Sequence, residues 1–409
     1  MKTPPAGFGW WLCGAALALR AGWVVYRWTT HGSGFDYPDE DLHWQLATHL
    51  VRDGILATDD GRLAARMPLY PLLLAPCAAL GSTGVLVARL MQTLFGAASV
   101  GVAYRLADAA FGRRAALAAG VLACCDPFGI FFANLLLTEV PFTLLALSLV
   151  ACAWRFVAGP GAGRGALIGL AVTGAAAALT RPSAVLWLPA CWLLVAWLHP
   201  RRRSAAPRLL LCPVVLGLAL VPWGLRNRAV LGEYAWLSAN GGVTLYDAQG
   251  PQADGSSNQA FLQALPELAT LGEVARDRAL ARLAIAQMRA DPARVLQLAS
   301  TKFLRTWSLI PNVTEYRTGA AAFVGAAYTA LLLLGGAAGL VRTARGTQAN
   351  ARQLQALLWL PIVYFTLLHS VYVGSVRYRV PLMPLLAVAA ASTLCPSDKR
   401  AFAASQPKS

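Results

Sequence analysis

Acid is scarce in this chain. Only 19 of 409 residues are Asp or Glu, against 35 Lys and Arg, and nearly all of the basic residues are Arg. Charged residues of either sign make up 13% of the chain while hydrophobic residues make up 57%. So few charges cannot cover a soluble core of that apolarity, which excludes an ordinary soluble protein. The mean hydropathy of +0.52 is that of a polytopic membrane protein. On a soluble chain the net charge of +16 would point to nucleic acid. On a membrane chain it points to cytoplasmic loops, anionic headgroups and phosphates, so no nucleic-acid partner is expected. Abundant Ala, Gly and Arg with very little Lys also fit a GC-rich genome, which weakens any argument from Arg number alone.

Other features are missing. Cys13, Cys77, Cys124, Cys125, Cys152, Cys191, Cys212 and Cys395 nearly all sit in apolar runs, none lies in the long polar region, and no pair has metal-ligand spacing. A disulfide framework and a zinc site are thereby excluded. No small-residue cleavage site follows the first apolar run, which reads as an uncleaved span. No internal repeat of the transporter kind is evident.

What the chain does have is apolar runs of spanning length, at about 8–28, 85–110, 115–132, 138–158, 165–180, 182–198, 208–226, 320–341, 354–373 and 379–394. The expectation is an all-α polytopic membrane protein of about ten transmembrane helices. The piece at 68–80 is short and carries Pro68, Pro71 and Pro76. Counting it as a span would put Arg113-Arg114, the Arg155 to Arg164 connection and Arg201-Arg202-Arg203 outside. Treating it as a re-entrant or surface helix puts them inside, as the positive-inside rule requires. The predicted organisation is a transmembrane module at 1–226 with a first outer loop at 29–84, an extracytoplasmic loop at 227–318, C-terminal spans at 319–395 and a cytoplasmic tail at 396–409. Within the 227–318 loop, 273–290 has a helical pattern. Asp291-Pro292 can cap a further helix, expected to lie on the membrane surface with Arg294, Lys302 and Arg305 between its apolar residues.

Against so little acid, Asp36-Tyr37-Pro38-Asp39-Glu40-Asp41 is conspicuous, with His43 and Trp44 close behind. If a helix starts at 39, Asp39 and His43 share a face one turn apart. The topology puts further polar groups on the same side: Arg66 before the 68–80 segment, Glu139 at the start of a span, Arg181 between two spans, and Arg377 with Arg379. A carboxylate at the edge of an apolar stretch is costly to keep. Two Arg at alternate positions suit a phosphate, whose oxygens guanidinium forks bind in pairs. Arg226 in the run Pro222 to Asn227 is a further contributor or an interface anchor. Carboxylates and guanidiniums converging at the outer interface suit transfer of a sugar from a lipid phosphate: a base takes the acceptor's proton and cations stabilise the phosphate leaving group.

These residues resemble the integral-membrane glycosyltransferases of the GT-C fold, in particular the bacterial relatives of dolichyl-phosphate-mannose protein mannosyltransferases and of the aminoarabinose lipid A transferase. The resemblance rests on Asp39-Glu40 after the first span, Arg66-Met67-Pro68-Leu69-Tyr70, Leu137-Thr138-Glu139, Thr180-Arg181-Pro182, Pro222 to Asn227, and Arg377-Tyr378-Arg379-Val380-Pro381. It implies a GT-C type first outer loop and an inverting transfer from a polyprenyl-phosphate sugar, at the outer face of the bacterial inner membrane. It further implies Asp39 as catalytic base or as the residue orienting the acceptor, with Glu40 assisting, Glu139 as the second acidic position, Arg66 on the donor phosphate or the neighbouring carboxylates, and Arg377 or Arg379 on the lipid phosphate; Arg181 is counted with the donor-phosphate residues. The acceptor is a lipid, glycan or protein of the envelope. Relatives that modify protein or lipid A often have larger C-terminal portions, so no particular acceptor is implied. His43-Trp44 stands where relatives more often show Tyr. Some distant members use a divalent metal, for which Asp36, Asp39 and His43 could supply ligands. Lipid-monophosphate users generally need none, so no cofactor is expected. The rivals are a transporter or flippase of lipid-linked sugars, which would show repeats and mid-bilayer polar residues, and a polysaccharide polymerase or ligase, which does not need the early acidic pair.

Overall fold

The computed structural model describes residues 7–159, 163–312 and 318–395; the tail expected at 396–409 lies outside the described residues. The helices are α1 (Phe8–His31), α2 (Pro38–Asp53), α3 (Leu69–Ala78), α4 (Gly84–Phe111), α5 (Arg113–Cys124), α6 (Pro127–Phe132), α7 (Glu139–Ala158), α8 (Arg164–Thr180), α9 (Trp187–Leu198), α10 (Arg202–Leu209), α11 (Leu211–Leu231) and α12 (Gly241–Gln249). The short α13 (Phe261–Ala264) and α14 (Pro266–Ala269) follow, then α15 (Glu273–Ala290), α16 (Pro292–Thr306), α17 (Ala320–Arg345), α18 (Ala349–Val371) and α19 (Met383–Ala391). A 3₁₀ segment, Val376–Leu382, leads into α19.

Among the described residues the chain is all helix and turn, as expected of a membrane bundle. Six segments are long and apolar enough to cross a membrane: Phe8–His31, Gly81–Phe111, Glu139–Ala158, Arg202–Leu231, Ala320–Arg345 and Ala349–Val371. Arg164–Thr180 and Pro182–Leu198 are shorter apolar pieces. The ten residues of α3 span about 15 Å, half of a hydrocarbon core of about 30 Å. It does not cross, in keeping with the charge bias.

Two runs expected to be single spans are not. The run at 115–132 breaks after Cys124, because Asp126 turns its carboxylate back onto the Phe128 N–H at 3.0 Å and Pro127 starts a new helix. The run at 379–394 holds only the nine residues of α19, all buried within the protein. Its partner α17 comes so close that a Cβ on Gly339 would lie 2.2 Å from the Ala389 carbonyl oxygen. Small residues permit that approach between membrane helices. The buried Arg20 and Arg89 bond backbone carbonyls through their terminal nitrogens. Arg20 bonds Cys124 O and Ala123 O, both at 3.1 Å, joining α1 to the end of α5. Arg89 bonds Gly32 O at 3.0 Å and Gly34 O at 2.6 Å, fixing the turn between α1 and α2.

Asp291 caps α16 as the sequence suggests, accepting from the Arg294 N–H at 2.9 Å. The face differs from the expected one. Lys302 is fully buried, with its ammonium on Ala248 O (2.8 Å) and Val371 O (2.9 Å), while Leu296 and Leu304 are exposed. Arg305 Nε reaches Gly374 O at 3.3 Å. These cations clasp the linker between α18 and α19 and do not line a polar outer stripe.

Candidate active site

Five charged residues from five separate segments meet at one end of the bundle. Asp39 sits in the first turn of α2, which Pro38 opens and which Gly54 ends in the left-handed region, at φ 72°. Its Oδ1 accepts from Arg66 Nη2 at 2.6 Å and its Oδ2 from Arg377 Nη1 at 2.6 Å. Arg377 also donates through Nε to Glu139 Oε1, and Arg181 Nη2 reaches the same oxygen at 2.8 Å. Arg181 Nε donates to Thr138 Oγ1 at 2.7 Å. The result is one continuous chain, Arg66–Asp39–Arg377–Glu139–Arg181. Its three guanidiniums and two carboxylates sum to a charge of +1.

The two carboxylates differ in access. Glu139 is fully buried, and its Oε2 has no hydrogen-bond partner. Asp39 keeps 33% of its side chain exposed. Burial pushes the Asp39 carboxyl up, but Arg377 and Arg66 outweigh it and hold the group well below the usual carboxylate range. For Arg377, burial favours loss of its proton, and Glu139 and Asp39 overcome that.

Two imidazoles flank the chain. His43, one turn from Asp39 on α2, is 4% exposed and meets the Tyr70 ring edge-on at 5.0 Å. Burial first, and then the neighbouring Arg66, pull its pKa down to about 3, so the ring is neutral near pH 7. His369, at the end of α18, stacks on Tyr378 at 4.0 Å. Neither His Nδ1 has a partner. Sequence reasoning named His43 for its helix face, as a departure from relatives and as a possible metal ligand, and missed His369; a His closing an apolar span was the available signal.

Two predicted site residues are not in the chain. Glu40 is completely buried, and backbone N–H groups use both of its oxygens. Oε1 accepts from Asp36 at 2.9 Å and Tyr37 at 3.1 Å, and Oε2 from Leu136 at 2.7 Å. It ties the start of α2 to the turn that precedes Glu139. Arg379 is buried too, bonding Thr306 O at 3.2 Å, Ser308 O and Thr329 Oγ1, and lying over Phe128 at 4.9 Å. A 3₁₀ turn has three residues per turn, so positions two apart point roughly 120° apart around its axis, and Arg377 and Arg379 do not face one ligand side by side. The reading of two Arg at alternate positions as a pair for one phosphate took no account of that turn. Arg226 holds the Arg66 loop from outside, donating to Leu63 O and, at 2.7 Å, to Leu56 O. Glu273 accepts from the Leu63 N–H at 2.8 Å. Asp36 pairs with Arg27 at 2.6 Å, away from Asp39. Among the described residues no three His, Cys, Asp or Glu side chains are grouped to hold a metal ion.

Residues 65–225, which include Arg66, Glu139 and Arg181, match the family model described as dolichyl-phosphate-mannose-protein mannosyltransferase. No curated protein matches the chain significantly. Among solved structures, the chain is similar to the oligosaccharyltransferase AglB of Archaeoglobus fulgidus in complex with an inhibitory peptide and a dolichol-phosphate, at 12% identity and TM-score 0.57, covering 95% of this chain and 50% of that one. A second AglB structure, tethered to an acceptor peptide, gives 12% identity and TM-score 0.59, with 95% and 49% covered. The chain thus spans about half the length of AglB. ArnT of Cupriavidus metallidurans bound to undecaprenyl phosphate aligns at 17% identity and TM-score 0.49, covering 95% of this chain and 78% of that one. The chain has the GT-C fold of the integral-membrane glycosyltransferases, and its segment 65–225 is similar to the dolichyl-phosphate-mannose-protein mannosyltransferases.

Proposed function

We propose that the protein is an inverting glycosyltransferase that moves a sugar from a polyprenyl-phosphate donor to a lipid, glycan or protein acceptor, at the extracytoplasmic face of a bacterial inner membrane. The observation that carries this reading is the mixed chain Arg66–Asp39–Arg377–Glu139–Arg181 at one end of the bundle. A carboxylate for the acceptor lies between guanidiniums suited to a phosphate. The description of the matching family and the dolichol-phosphate of the AglB structure point the same way.

In this reading Arg66 and Arg377 hold the donor phosphate, with Arg181 behind them. Asp39 takes the proton of an acceptor hydroxyl or amine as that group attacks the anomeric carbon. The bond from that carbon to the phosphate oxygen breaks, and its electron pair leaves on the lipid phosphate, whose charge the guanidiniums stabilise. Attack from the face opposite the phosphate inverts the centre. Glu139 holds Arg377 and Arg181 in place, and Glu40 and Arg379 position the elements that carry Asp39 and Arg377. Guanidiniums supply the positive charge that a metal provides elsewhere, so turnover should survive a chelator.

The test is turnover by the purified full-length protein in lipid nanodiscs, with a panel of polyprenyl-phosphate sugars and envelope acceptors. Asp39→Asn should lower kcat about 10²- to 10⁴-fold, the scale of a lost general base. Turnover at the wild-type rate in that variant would refute the assignment.

A further inference from the structure

The arginines of the site are already engaged. Arg66 and Arg377 each give Asp39 a bond of 2.6 Å, and Arg377 and Arg181 share one oxygen of Glu139. A phosphate cannot take the full strength of these guanidiniums while both carboxylates keep them. Asp39, for its part, cannot act as a base while two guanidiniums stabilise its charge. Resting on the reading above, we propose that the donor phosphate and Asp39 compete for Arg66 and Arg377, so that donor binding itself releases Asp39 to accept the acceptor's proton.

The geometry says which carboxylate gives way. Glu139 is fully buried at the head of α7, between Arg377 and Arg181, and releasing its charge there would leave it unpaired and dry. Asp39 has 33% of its side chain exposed and stands on a surface turn, where water can take over the released oxygens. Arg66 and Arg377, each with 19% exposure against 12% for Arg181, are the most exposed cations of the ion-pair chain, and both hold Asp39. Glu139 is therefore the fixed member and Asp39 the exchangeable one.

Charge supports the exchange. With a net charge of +1, the resting chain attracts an anion. A donor phosphodiester carries one negative charge and brings the sum to zero. Freed from its cations, Asp39 returns toward the ordinary carboxylate range, where it can take a proton in a transition state. Acceptor activation thus waits for the donor. The leaving polyprenyl phosphate, a monoester with about −1.5 to −2 charge at pH 7, binds the same guanidiniums more strongly than the donor did, and product inhibition follows.

The experiment measures polyprenyl phosphate binding to the full-length protein in nanodiscs. Competition predicts that Asp39→Asn, though slowed about 10²- to 10⁴-fold in turnover, binds polyprenyl phosphate about tenfold tighter than wild type, a gain of about 1.4 kcal/mol. Glu139→Gln should bind it more weakly, because Arg377 and Arg181 lose the group that aims them. Weaker or unchanged binding by Asp39→Asn would overturn the proposal, since it would mean that Asp39 only positions the arginines. In case that variant does not fold, infrared difference spectroscopy of the wild type gives a second readout. Addition of polyprenyl phosphate should shift a carboxylate stretch away from its ion-paired position, and an unshifted carboxylate region upon saturation also overturns the proposal. Failure of the wild type to bind polyprenyl phosphate at all would instead remove the glycosyltransferase reading, and this proposal with it.

Discussion

At the scale of single residues, the site is built from groups whose ordinary neutral-pH protonation states the fold holds against acid. His43 shows this most clearly. It is neutral in the fold because burial and Arg66, reinforced by Arg377 and opposed by Asp39 and Glu139, bring its pKa to about 3 from 6.5. The unfolded chain therefore binds a proton between those values that the folded chain refuses. The contribution is fully present above about pH 6.5 and is lost as pH falls, at about 1.4 kcal/mol per pH unit in the window. Asp39, with its pKa depressed, adds acid sensitivity of the same sign below about pH 4. Thermal melts of the nanodisc protein should lose stability steeply from pH 6.5 to 4.5, and His43→Gln should flatten that slope. An equal slope in the variant would show that this ring is not the sensor. The position of His43 beside Asp39 was legible, because i and i+4 on a helix share a face. The fate of Arg379 was not: sequence spacing does not announce a 3₁₀ turn, and only that turn sends Arg379 inward to Thr306, Ser308 and Thr329.

At the scale of elements, the local punctuation was readable and the packing was not. Asp291-Pro292 opening α16 and the boundaries of α15 follow from a cap and a helix-forming run, and α2 starts at Pro38, one residue before the expected 39. No pattern in the sequence says that Lys302 turns inward to seize the α18–α19 linker, since an amphipathic plot places a lysine outside by default. That clasp lies just ahead of Arg377 in the chain and is expected to aim it. Lys302 holds Val371 O, Arg305 holds Gly374 O, and a Cβ on Gly374 would lie 2.5 Å from the Lys302 carbonyl oxygen. A backbone atom cannot swing aside as a side chain can, so Gly374→Ala must push the linker off α16. The expected result is a rise in donor KM of about tenfold or more, because a misplacement of 1 Å costs on the order of 100-fold. The helix content by circular dichroism should not change. Steady-state kinetics against donor concentration decide it; an unchanged KM would mean that Arg377 does not depend on the clasp.

At the scale of the whole molecule, the sequence could place groups on a side of the membrane but could not pair them. Charge bias over the connections was enough to put Asp39, Arg66, Glu139, Arg181 and Arg377 on one face, and they do meet at one end of the bundle. Their pairing depends on how helices distant in sequence pack, above all on α19. This nine-residue helix, buried on every side, carries the Arg377 turn at its head. Its depth is set by α17, where Gly339 lets the backbone of Ala389 approach and Gln355 from α18 bonds Ala389 O at 3.1 Å. A methyl group at Gly339 would collide with backbone, and overpacking of this kind costs about 1–3 kcal/mol. Gly339→Ala should therefore lower the unfolding midpoint in detergent. Because α19 would seat less deeply, it should also weaken polyprenyl phosphate binding in the protein that remains folded. Gly217 on α11 is the control: its added Cβ meets nothing within 4 Å, so Gly217→Ala should leave both quantities near wild type. If Gly339→Ala lowered the midpoint and left the affinity of the folded fraction intact, α17 would stabilise the bundle without setting the position of Arg377.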